Sequence, residues 1–165
     1  LTDQAISYYT DYIQKGGEEV KIADYFSLGQ TYYIAASAFL PQDNTPLSEA
    51  DSLKMMPYAL AADSLFGYVA ERVPDSYMGN FWRARTNSVI DHLSTAGLAK
   101  PYYEKAIELI DPEKNPKQLL EAYRYMAYYY YLQEDRDNSL KYCDLILGMA
   151  PDDAMAPAIS SNLRQ

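Results

Sequence analysis

Residues 120–153, LEAYRYMAYYYYLQEDRDNSLKYCDLILGMAPDD, decide how the rest of the chain is read. Within them Tyr123, Met126, Ala127 and Tyr130 recur at i, i+3, i+4 and i+7, which places the four on one stripe of a helix. A charged break over 133–137 separates this run from a second one, where Ser139, Leu140, Cys143, Ile146 and Leu147 form another stripe that stops near Gly148 and Pro151. Two short amphipathic helices joined by a tight turn cannot bury their stripes alone, so the unit needs neighbours.

The spacing Tyr-x2-Met-Ala-x2-Tyr…Ser-x3-Cys…Pro resembles the tetratricopeptide repeat (TPR), W-x2-L-G-x2-Y…A-x3-F…P. A fuller match lies upstream: Tyr25, Leu28, Gly29 and Tyr32 on a helix expected over 18–38, then Ala62, Phe66 and Pro74. Small residues at Gly29 and Ala62 let two helices approach while the large ones fill the space around them. This unit departs from the pattern between its helices. Tyr32 to Ala62 spans 30 residues against 9 from Tyr130 to Ser139, an excess of 21. Residues 41–46 are a loop by composition. Ser48, followed by Glu49 and Asp51, reads as the N-cap of an extended helix over 48–73, with a break or kink expected at Pro57.

Between the two units, Ala99-x3-Tyr103 marks a second helix, but its first helix has two registers. The ungapped one puts Asn80, Arg83, Ala84 and Asn87 at the motif positions, and a shift by one puts Phe81, Ala84, Arg85 and Ser88 there. The ungapped register is preferred because it keeps a small residue at the closest contact. His92 falls at the end of this helix or in the loop after it, where capping or solvation is expected. Residues 2–17 resemble the second helix of an upstream half-repeat, and 154–163 a capping helix. The resemblance implies an all-α chain of about 7–8 helices forming a TPR-like α-α superhelix, a right-handed solenoid of antiparallel pairs in one domain over 1–165. Its units are 2–17, 18–74 with an insertion at about 40–60, 75–112, 118–153 and 154–163. A bacterial-type TPR protein is expected, the chain being an excerpt of a longer one that opens at Leu1 rather than at methionine.

Composition excludes several function classes. A net charge of −9 argues against nucleic acid or an anionic membrane as partner. The longest apolar run, 34–40, is far short of the roughly 18 residues of a spanning helix. One cysteine and one histidine cannot build a thiolate or multi-histidine metal site, and no cofactor is expected. The acidic pairs Glu134–Asp135 and Asp152–Asp153 fall at turns or helix starts, where the helix dipole accounts for them. With no nucleophile–histidine pairing and no glycine-rich phosphate loop, the chain reads as non-catalytic. The compartment stays open, cytoplasmic or exported, with any signal peptide outside this chain.

In TPR proteins the first helices of the repeats line a concave face where ligands lie. The resemblance therefore implies a protein or peptide partner, contacted by Phe26, Gln30 and Tyr33 in the first repeat. The second would contribute Phe81, Trp82 and Arg85, and the third Arg124, Tyr128 and Tyr131. Aromatics and arginines are the residues enriched at interaction hot spots. Part of the 18 tyrosines, and Trp82, would instead pack one repeat on the next. The Lys/Asn/Lys/Arg set with which some TPR domains grip a terminal carboxylate is absent from the first stripe, although Arg83, Arg85 and Arg124 would suit an acidic ligand. Two further readings stand beside the scaffold: a small-ligand or carbohydrate module stacking on Trp82 and tyrosines, and a homo-oligomer formed through the N-terminal end.

Overall fold

The computed structural model describes residues 2–43 and 45–164; Leu1, Gln165 and Asn44 of the 41–46 loop lie outside the described residues. These residues fold into eight α-helices with no strand: α1 (Thr2–Lys15), α2 (Ile22–Ser37), α3 (Glu49–Arg72), α4 (Met78–Ile90), α5 (Lys100–Leu109), α6 (Pro116–Leu132), α7 (Arg136–Met149) and α8 (Met155–Arg164). Each helix packs on the next in sequence, and α2 on α4 and α6 on α8 as well. A chain whose contacts run mainly between neighbours is a helical superhelix, as the repeat pattern implies.

Local signals set most boundaries. The 18–38 helix begins later than expected, because a 3-10 turn, Gly17–Glu19, intervenes with Gly17 at φ +52°. Ser48 caps α3 as expected: its Oγ accepts from the Asp51 backbone N–H at 3.1 Å and donates to Asp51 Oδ2 at 2.7 Å. Asp135 caps α7 in the same way through the Asn138 N–H. The expected break at Pro57 is absent, and α3 runs through it. Pro57 and Leu53, whose carbonyl loses its helical donor, both face solvent, where water replaces the missing hydrogen bond.

Close contacts between paired helices rest on small residues. A Cβ on Gly29 would lie 2.8 Å from the Phe66 ring, so α2 and α3 can meet there only with glycine. Ala62, Ala84 and Ala127 are fully buried, and Ser139 donates to the Ala127 carbonyl at 2.9 Å across the α6–α7 seam. In α4 the preferred register fails. Phe81 and Ala84 carry the core face toward Tyr103 of α5, as the shifted register has it. Arg83 and Asn87 turn their polar ends to Asp63 of α3. A single small residue, Ala84, occurs in both registers and could not choose between them.

Candidate peptide-binding cleft

A cleft of about 410 Å³ opens between the first helices of the three pairs. α2 contributes Tyr33, α4 contributes Arg85, Ser88 and Val89, and α6 contributes Glu121; Tyr103 of α5 lies at its base, and Leu40 borders it from the α2–α3 connection. The polar centre is one ion pair. Arg85 Nε donates to Glu121 Oε1 at 2.7 Å and Nη2 to Oε2 at 2.6 Å, the two-point geometry that makes such pairs strong. That hydrogen bonding outweighs burial and holds the Arg85 guanidinium above its ordinary pKa. Tyr103 donates to Glu121 Oε1 at 3.2 Å, and burial pushes the Tyr103 phenol well above its usual value. The hydroxyl is therefore a fixed donor and not an acid.

Trp82 and its neighbours form the wall beside the cleft. The indole meets Phe26 at 5.7 Å and Tyr33 at 5.3 Å, both edge-on, and Phe66 at 5.5 Å, while the Arg85 guanidinium sits 4.8 Å from its centroid. This cluster joins the first helix pair to the second. Arg85 stacks equally on Phe81, so the aromatic wall also fixes the direction of its fork.

The nine expected contact residues thus separate. Tyr33 and Arg85 line the cleft. Phe26 and Trp82 are half-buried in inter-helix packing, and Gln30 is half-buried on α2. Phe81 is corrected outright: at 1 % exposure it is core, because the α4 register turns it toward Tyr103. Arg124, Tyr128 and Tyr131 form a separate patch on α6. Tyr128 is 40 % exposed and stacks on Tyr131 at 6.5 Å, whereas Tyr131 also packs against the core between α6, α7 and α8.

Arg83, Arg85 and Arg124 are all paired with carboxylates. Arg83 is held by Asp63 at 2.9 Å, Arg85 by Glu121, and Arg124 by Asp153. Asp153 is almost fully buried, and its Oδ1 caps α8 by accepting from Met155 N–H at 2.9 Å and Ala156 N–H at 3.0 Å. Burial alone would raise its pKa; the Ala156 N–H and Arg124 outweigh that and hold the carboxyl below the usual range. His92 neither caps a helix nor faces only water. Its Nε2 lies 2.9 Å from the Thr45 carbonyl, tying the α4–α5 loop to the inserted segment.

Leu40, Val89, Tyr103 and Glu121 were missed as cleft residues. Arg85 and Glu121 stand 36 residues apart, near one repeat period, and that spacing of opposite charges was the available signal. Leu40 carried none, since it lies in a connection without periodicity. A second hollow of about 400 Å³ lies at α1 beside Tyr8, Tyr12 and Lys15. Among the described residues, no group of three or more His, Cys, Asp or Glu is placed to hold a metal ion, and no helix is long and apolar enough to cross a membrane.

A superhelix of paired helices with a cleft between its first helices defines an α-α solenoid scaffold. The fold of the chain is TPR-like. It is similar to the crystal structure of the C-terminal part of a TPR repeat-containing protein from Cytophaga hutchinsonii, at TM-score 0.60 and 28% sequence identity. The match covers 94% of this chain and 65% of that one, so the chain spans about two thirds of the structure it resembles. No protein-family model matches the chain. No curated protein matches it either. The likeness supports a general role as a protein-interaction scaffold.

Proposed function

We propose that the chain is a non-catalytic scaffold that binds a peptide or protein segment in the groove between α2, α4 and α6. The observation that carries this reading is the cleft itself. It is bordered by one residue or more from each of the three first helices, and it presents hydrogen-bonding groups beside the apolar Leu40 and Val89. The pairing of Arg83, Arg85 and Arg124 with carboxylates disfavours an acidic ligand, which would have to displace a charge already seated. The aromatic-stacking alternative loses its strongest platform, because the Trp82 ring already engages Phe26, Tyr33, Phe66 and Arg85.

The test is affinity capture from the native source with wild type, Arg85→Ala and Arg124→Ala/Tyr128→Ala, each first shown by circular dichroism to be folded. A protein held by wild type and lost by Arg85→Ala supports the cleft, and loss by the double variant extends the surface to the α6 patch. Equal retention by all three chains overturns the groove as the binding surface.

A further inference from the structure

The α2–α3 connection does more than lengthen a loop. α6 and α7 are joined by residues 133–135 alone, whereas 38–48 separate α2 from α3. The longer segment turns back at once through Phe39 N–H to the Ala36 carbonyl at 3.2 Å and Leu40 N–H to the Ser37 carbonyl at 3.1 Å. Phe39, Leu40 and Leu47 then pack on a core of Ala36, Met55, Ala59 and Val89, and Phe39 stacks on Tyr58 at 6.2 Å. His92, donating through Nε2 to the Thr45 carbonyl, pins the far part of the segment to the end of α4. So held, Leu40 becomes an apolar border of the cleft together with Val89.

The charge pattern restricts what can lie against that border. Arg85 and Glu121 satisfy each other, and their side chains are 31% and 35% exposed. A carboxylate seated there would meet Glu121, and a cation would meet Arg85. A peptide amide, with one donor and one acceptor, suits both partners of the pair without displacing either. The volume of about 410 Å³ sits at the low end for ligand sites, room for an anchoring side chain and its flanking backbone.

We propose that Leu40, held in place by Phe39, Leu47 and the His92–Thr45 contact, is a specificity-determining border of the cleft, and that the partner segment presents an uncharged bulky side chain, aliphatic or aromatic, to Leu40 and Val89. This rests on the groove reading above and adds to it the class of segment admitted. The test uses N-acetyl amides of leucine, tyrosine, glutamate and lysine, titrated into methyl-labelled protein and followed by NMR. The leucine and tyrosine derivatives are expected to shift the Leu40 and Val89 methyls saturably, and the charged ones not. Leu40→Trp fills the border and should weaken the response at least tenfold; His92→Ala, which frees the segment, should weaken it with the fold intact by circular dichroism. Equal shifts from the charged derivatives, or an unchanged response in Leu40→Trp, overturn the proposal. If no derivative moves these methyls while Arg85→Ala still releases a captured partner, the border falls and the groove stands. If Arg85→Ala releases nothing while the methyls respond, the pocket stands without the wider groove.

Discussion

Replacing Trp82 by alanine separates a binding residue from a packing residue more sharply than any other single change. Its indole makes three aromatic contacts between 5.3 and 5.7 Å that bridge α2 and α3 to α4, and it carries the Arg85 guanidinium on its face. Truncating a fully buried tryptophan or phenylalanine costs about 3–5 kcal/mol. Trp82 is only half-buried, so a cost below that range applies, about 2–3 kcal/mol. For a chain of this size each kcal/mol lowers Tm by roughly 2–4 °C, which gives an expected drop of roughly 4–12 °C. Thermal melts of wild type, Trp82→Ala and Trp82→Phe by far-ultraviolet circular dichroism make the measurement, and the phenylalanine variant should recover part of the loss. As the chain has one tryptophan, wild-type fluorescence reports opening of this junction directly. A Trp82→Ala chain that melts with wild type but loses its partner would refute the reasoning, and would return Trp82 to the binding surface.

Two other predictions test the frame that holds the site. Asp153 has a folded pKa below its unfolded value near 3.9, so its stabilisation is present above that value and is lost as pH falls through the folded one. Asp153→Asn should therefore cost about 1–2 kcal/mol at neutral pH and little in acid, giving urea midpoints that converge between about pH 5 and 3; parallel curves across that window would sink the assignment. Pro57→Ala restores a helix donor on the exposed face of an unbroken α3 and should raise stability by about 1–2 kcal/mol, whereas a loss would mean that the helix relies on a bend at Pro57.

Much of the frame was legible because helical structure is local. Of the stripe, Ala127 meets Ser139, Cys143 and Ile146 in the α6–α7 seam and Tyr123 and Tyr130 pack on Tyr142 of α7, while Met126, equally buried, turns to the core shared with α4 and α5. Ser48 needed nothing but its own next turn to act as a cap. The site was less legible. α4 had the right composition but an ambiguous rotation, so Phe81 was placed on the surface. A rotation of one residue, about a hundred degrees of arc, exchanges core for groove.

What the residues by themselves determined is the class of object: helix pairs at repeat spacing, small residues where helices meet, and an acidic balance of charge. What only the tertiary structure decided is the cleft. Arg85 meets Glu121 across 36 residues, and Leu40 reaches Val89 because His92 and Phe39 fold a connection without periodicity back against α4. A helix stripe repeats every few residues and is written into the chain, whereas the partner of a charge or the path of a loop depends on how whole helices are turned against one another.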